Sequence, residues 1–235
     1  MKTIGSVLIL LVCFGAKAQS NSNHSAQEVL DKVVTYYKDH PQLEYDLTYS
    51  LYRDFKNPKI IEQYKGVLSK DRKNSYLKIK DTEFITVQED FLKINHSQKR
   101  MQFVKNAQGL QVSNPLNIDA YLKYFSTREV FEENGALVCK LSTPKFTQLP
   151  YGTIWMFVNP QTFELEKQIM ELTAPKSIKD ENGVFTTALK YLEIELTSSQ
   201  NEIDFISKIN IGAYITLKNK KYQPVALYSD YQMAN

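Results

Sequence analysis

Few side chains in this sequence are of the kinds that carry out chemistry, and their spacing does little to group them. The 235 residues contain three histidines and two cysteines. His24 stands in a polar stretch, His40 directly precedes Pro41, and His96 falls between two alternating apolar runs. No pair has metal-ligand spacing, and neither H-E-x-x-H nor a cysteine cluster occurs, so no metal site is expected. Cys139 lies in the run Ala136–Ser142 with Leu137 and Leu141 on its face. There a thiol behaves as a small hydrophobe. A nucleophilic cysteine would need a base, and the sequence nominates none. Glu193 and Glu195 share a strand face and could form an acid–base couple, but the same pattern describes the wet side of an amphipathic strand. G-x-S-x-G, a glycine-rich phosphate loop and a dinucleotide fingerprint are all missing from the sequence. These residues point to a protein that is not an enzyme, has no catalytic residues and carries no cofactor.

The elements that would position any site begin after a leader. Met1-Lys2 supplies a positive end, Ile4 to Phe14 is an apolar run, and Ala16-Lys17-Ala18 has the small-x-small form of a cleavage site before Gln19. Together these read as a secretory signal peptide over 1–18, since a membrane anchor needs about twenty apolar residues. Val12 is bulky where a lipoprotein site wants a small residue before its cysteine, so lipidation at Cys13 is not expected. Removing the leader leaves 217 residues with 27 basic and 26 acidic side chains, and Cys139 without a disulfide partner. With neither net charge nor a basic stripe, the mature chain offers nothing to nucleic acid. A periplasmic protein that is not integral to the membrane is the expectation.

Ser25 followed by Glu28 has the form of a capping box, and Val29, Leu30, Val33, Val34 and Tyr37 recur at helical spacing. A helix over 25–38 is predicted, closed by Pro41. Leu43, Tyr45, Leu47, Tyr49 and Leu51 then alternate with polar residues, as in a strand with one wet face. Further strands are predicted over 60–70, 74–80, 84–88, 91–95 and 100–105, and charged turns between them describe an antiparallel meander. Asn114–Asn117 is a turn, and Ile118, Tyr121, Leu122 and Phe125 suggest a short helix over 117–125. Strands resume at 136–143, 152–158 and 164–173. Residues 174–183 read as a loop and 184–198 as further strand. A terminal hairpin is expected, pairing Ala213–Lys218 with Pro224–Asp230. Ile154, Met156 and Val158 oppose Trp155 and Phe157 on a strand apolar on both faces, which predicts cover on both sides. The fold class is α+β: one domain over 19–235, with a large curved antiparallel sheet covered by an N-terminal helix and a short mid-chain helix.

Several stretches together resemble the LolA-like family of periplasmic lipoprotein carriers, in its divergent Bacteroidota-type form. They are the leader, the opening helix Ala26–Val33, the strand Tyr45–Arg53, the run Gly66–Tyr76, the turn Asn114–Ile118 and the strand–turn–strand Met156–Leu165. The resemblance covers most of the mature chain. It does not extend to 174–200 or to the terminal hairpin with Lys218, Lys220 and Lys221, and it leaves the family's strand arginine open between Arg53 and Arg72.

The resemblance implies an unclosed barrel whose concave face holds lipoprotein acyl chains or another apolar ligand. Leu47, Tyr49, Leu77, Ile79, Ile154 and Met156 would then face the cavity. Val33, Tyr37, Ile118, Tyr121, Leu122 and Phe125 would form its lid. Burial of an acyl chain there is worth about 0.8 kcal/mol per methylene. The alternative is a non-enzymatic accessory subunit of an envelope secretion or gliding complex, with the chain's 15 tyrosines and 12 phenylalanines serving a protein interface.

Overall fold

The computed structural model describes residues 24–55, 58–107, 115–116, 118, 122–144, 149–174, 176–179, 185–188, 190–199 and 204–234. The leader 1–18, the cleavage position before Gln19, Cys13 and Tyr121 lie outside them.

Helix α1 spans Ala26–Asp39, one residue beyond the predicted segment at its C-terminal end. The capping box is formed: the Glu28 amide donates to Ser25 Oγ at 3.2 Å, and the Ser25 amide donates to Glu28 Oε2 at 2.8 Å. These bonds satisfy two of the amides that every helix start leaves without an intrahelical partner. Val29, Leu30, Val33 and Tyr37 form its buried stripe. Full burial of each such side chain contributes about 1.5–3 kcal/mol, which is what fixes the helix to the sheet.

The main sheet has twelve strands and does not close. It comprises β1 (Gln42–Tyr52), β2 (Ile60–Asp71), β3 (Asn74–Ile79), β4 (Thr82–Val87), β5 (Asp90–Asn95), β6 (Arg100–Val104), β7 (Thr127–Glu133), β8 (Ala136–Ser142), β9 (Tyr151–Val158), β10 (Leu165–Leu172), β13 (Tyr191–Ser198) and β16 (Gln232–Met233). Their order is β16-β6-β5-β4-β3-β2-β1-β13-β10-β9-β8-β7. Every pairing is antiparallel except that of β16, which lies parallel to β6. The strands β11 (Lys176–Lys179) and β12 (Phe185–Ala188) pair with each other as a separate ribbon. A one-turn helix, α2 (Phe205–Lys208), precedes a second ribbon of β14 (Ile215–Lys218) and β15 (Lys221–Pro224).

Alternation divides the sheet's side chains between an inner face, against α1, and an outer face. Tyr45, Leu47 and Tyr49 of β1 point inward beside Ile194 and Leu196 of β13. Beyond them come Met156 and Ile154 of β9 and Cys139 and Leu141 of β8. The buried stripe of α1 joins this cluster, as do Leu116, Ile118 and Phe125. A second core lies on the opposite face of β3–β6. Tyr76, Ile85, Leu92, Ile94 and Met101 pack there against Tyr214 and Ile215 of the C-terminal segment.

Several expectations need correction. Residues 174–183 are not all loop, since β11 begins immediately after Pro175 and pairs locally with β12. The 184–198 stretch is two strands in different sheets, because β12 closes that ribbon while β13 inserts between β1 and β10. The terminal hairpin is shorter than its apolar residues suggest: β15 ends at Pro224, and Ala226–Tyr228 is a turn of 3-10 helix. Its turn, Asn219-Lys220, has φ of 50° and 62°, the left-handed pair that a tight hairpin requires. Strand β7 was not foreseen, because an edge strand with only Val130 and Phe131 apolar shows little alternation. Strand β9 is fully covered on one side only: Ile154, Met156 and Val158 are buried, whereas Trp155 and Phe157 are half-exposed.

Candidate functional site

The inner face contains all six residues expected to face a cavity. Leu47, Tyr49, Leu77, Ile154 and Met156 are buried in one cluster, and Ile79 packs against it half-exposed. Leu47 and Tyr49 stand on β1, across β2 from Leu77 and Ile79 on β3. Ile154 and Met156 stand on β9, beyond β13 and β10. The residues therefore occupy one face but two halves of it, separated by two strands.

Within this apolar surface Tyr49 is the exception. Its hydroxyl is buried and has no hydrogen-bond partner among the described residues. Burial alone raises the phenol far above its ordinary pKa, so it stays protonated and able to donate. Its ring rests over Gly66, where a Cβ would come within 3.3 Å of Tyr49 Cε2 and 2.7 Å of the Lys78 carbonyl oxygen. Only glycine leaves room for that approach. Toward β4 the face becomes a half-exposed rim of Tyr64, Ile79 and Phe84. The Lys80 ammonium sits 4.3 Å from the Tyr64 ring centre, and that of Lys93 sits 5.7 Å from the Phe84 ring.

Of the expected lid residues, Val33 and Tyr37 lie on the buried side of α1, Ile118 and Phe125 are buried, and Leu122 is half-buried. Polar contacts fasten this layer to the sheet. The Tyr37 hydroxyl accepts from the Leu165 amide at 3.1 Å. Arg128 of β7 donates to Gln27 of α1 and, at 3.0 Å, to the Leu122 carbonyl oxygen. Gln168 of β10 donates to the Pro115 carbonyl oxygen at 2.8 Å.

The groups weighed for chemistry are placed as follows. Cys139 is fully buried on the inner face, and burial pushes its thiol up to about 12. At neutral pH it holds no thiolate to attack with. Glu193 sits 3.6 Å from the Lys167 ammonium on the outer face. Burial raises its carboxyl, and Lys167 opposes the rise. Glu195 is exposed two positions along the same strand. His40 stacks on Tyr36 with its Nδ1 2.9 Å from the Tyr36 carbonyl oxygen, which places it as a helix end. Among the described residues, no three His, Cys, Asp or Glu side chains are grouped to hold a metal.

Sequence reasoning passed over His96. In the structure its Nε2 lies 3.0 Å from Glu83 Oε1 and its Nδ1 lies 2.8 Å from the Tyr231 hydroxyl. A neutral imidazole fits both contacts by donating to the carboxylate and accepting from the phenol. The other Glu83 oxygen is buried without a hydrogen-bond partner among the described residues. The three residues join β4, the β5–β6 turn and the C-terminal segment. No local signal announces a contact between positions 135 apart.

The sequence matches no family model and no curated protein. Among solved structures, the chain is similar to a LolA superfamily protein from Nitrosomonas europaea at 10% identity, covering 78% of this chain and 97% of that one with a TM-score of 0.36. It is similar to a DUF1329 family protein from Desulfovibrio piger at 12% identity, with 77% and 96% coverage and a TM-score of 0.37. It is also similar to LprF from Mycobacterium bovis at 12% identity, with 77% and 95% coverage and a TM-score of 0.34. Identities and TM-scores this low carry nothing about ligand or partner.

Proposed function

We propose that the protein is a non-enzymatic periplasmic carrier or chaperone that holds lipoprotein acyl chains, or another apolar ligand, on the inner face of its sheet. The observation that carries this reading is the Tyr49 hydroxyl, a buried donor on a mostly apolar face that has no partner among the described residues. A group left unsatisfied inside a core costs about 1–3 kcal/mol. An ester or amide carbonyl at the head of an acyl chain would relieve that cost. In the state described here Leu47, Tyr49, Leu77, Ile154 and Met156 are covered, so loading requires α1 and the segment through Leu122 to move off the sheet. The half-exposed rim at Tyr64, Ile79 and Phe84 is where such a movement begins. Once open, burial of an acyl chain restores the apolar contacts that the movement breaks.

A second reading is an accessory subunit of an envelope complex. It is favoured by Ile206 and Leu227, each 80% exposed on the C-terminal segment. Isolated exposed apolar residues are ordinary, but two at this level on one short segment suit a protein interface. Native mass spectrometry of protein purified from its own envelope separates the two. The carrier reading expects a bound acyl-bearing species; a stable protein assembly without one overturns it in favour of the subunit.

A further inference from the structure

The C-terminal segment that covers the outer core has a second side, turned away from the sheet. In α2, Phe205 packs on the core and so does Ile209 just beyond the helix, while Ile206 is 80% exposed. In the 3-10 turn Ala226–Tyr228, Tyr228 packs inward and Leu227 is also 80% exposed. The β14–β15 ribbon divides in the same way. Ile215 is buried against the core, and Tyr222, opposite Leu217 in register, packs there too. Alternation then turns the next pair, Lys218 and Lys221, to the outward side. Lys220 stands exposed in the turn between them.

The lysines on this side are unmatched. Lys218 and Lys221 stand directly opposite each other, a like-charge pair that weakens the ribbon. Among the described residues Lys218, Lys220 and Lys221 have no ion pair. The acids of 204–234 are Asp204 and Asp230, and both are engaged. Asp204 accepts from the Ser207 amide at 3.3 Å, and Asp230 pairs with Lys99 at 2.5 Å. The segment's other lysine, Lys208, turns inward, with its ammonium 5.8 Å from the centre of the Tyr76 ring. The rings of the segment, Phe205, Tyr214, Tyr222, Tyr228 and Tyr231, all pack toward the outer core. What the outward side offers is lysine and aliphatic side chains.

We propose that this outward side docks on an anionic lipid bilayer, with Lys218, Lys220 and Lys221 among the headgroups and Ile206 and Leu227 at the acyl boundary. The two aliphatic side chains by themselves suit a protein as well, and the lysines decide for lipid. Protein interfaces are enriched in aromatic residues and arginine and depleted of lysine. A bilayer surface takes the opposite set: lysines reach its phosphates while aliphatic groups enter beneath them. The cover and Tyr49 occupy opposite faces of the sheet, so docking holds or fails independently of a ligand on the inner face.

The test uses the mature protein, K218Q/K220Q/K221Q, I206S/L227S, and K38Q/K65Q/K123Q, which removes three lysines from other parts of the surface. Every substituted position is exposed, so all the variants should fold. Each protein is co-sedimented with vesicles of phosphatidylcholine alone and of phosphatidylcholine mixed with phosphatidylglycerol. The wild type is expected to bind only the mixed vesicles. A lysine near an anionic surface contributes about fivefold in affinity, so K218Q/K220Q/K221Q should bind about a hundredfold more weakly. I206S/L227S should lose about tenfold, and K38Q/K65Q/K123Q should stay close to the wild type. No binding to the mixed vesicles overturns the proposal, as does an equal loss in both lysine variants or unchanged binding by I206S/L227S. Sedimentation velocity without lipid completes the test. A wild-type assembly that I206S/L227S returns to monomer identifies a protein interface and overturns the lipid surface.

Discussion

The inner core beneath α1 and the outer core beneath the C-terminal segment lie on opposite faces of one sheet and are closed by different means. The inner core is aliphatic around β8 and β9 and carries Tyr45 and Tyr49 on β1, and its cover is a regular helix with a capping box. The outer core is closed by a chain of short elements: α2, the β14–β15 ribbon, turns of 3-10 helix and β16. Around Glu83 it collects Tyr76, Tyr214 and Tyr228, whose phenols burial raises above the ordinary value and the Glu83 charge raises further. His96 then ties Glu83 to Tyr231, Lys99 pairs with Asp230 at 2.5 Å, and β16 hydrogen-bonds to β6. The inner cover combines apolar contact, which is non-directional, with the hydrogen bonds of Tyr37, Arg128 and Gln168. The outer cover is held by directional bonds that specify one position.

The largest effect expected from breaking this contrast is at Ile154. Ile154→Asp places a carboxylate in the inner core, and a loss of about 4 kcal/mol or more is expected from urea denaturation. A loss below about 1 kcal/mol would mean that Ile154 borders an open, water-filled space. His96→Ala acts on the outer core, where it leaves Glu83 and Tyr231 without their shared partner. A loss of about 2 kcal/mol is expected, with proteolytic cleavage appearing first within 204–234. Cleavage first in α1 would show that the outer cover is not the part His96 holds. The smallest change is expected at Tyr49. Removing its unpartnered hydroxyl in Tyr49→Phe should leave the melting temperature unchanged or raise it, by up to about 1 kcal/mol of stability. A clear fall would reveal a partner for that hydroxyl in the unliganded protein.

Helix α1 and the meander β1–β6 were legible because each carries its instruction locally. Ser25 and Glu28 cap one turn, and the alternation from Leu43 to Leu51 needs no distant contact to be read. Strand β7 was missed for the complementary reason: Thr127–Glu133 is an exposed edge, so burial imposes no pattern on it. Alternation puts Leu47 with Tyr49, Leu77 with Ile79, and Ile154 with Met156 on one side of their own strands, and only strand pairing puts the three pairs on one face. The state of the Tyr49 hydroxyl was not legible, because it depends on what β2 places beneath the ring.

By itself the sequence determined the strands that alternate clearly, β1 above all, and which side chains each of them turns to the same side, because a period of two is a local property of the backbone. It also determined that Cys139 is a core residue and that the histidines have no metal-binding spacing. Only the tertiary structure decided that β13 inserts between β1 and β10, that the C-terminal segment closes the outer face rather than extending the inner one, and that His96 joins Glu83 to Tyr231. Those are choices among partners distant in the chain. They are set by which faces remain uncovered once the local elements have formed, and no local pattern encodes that.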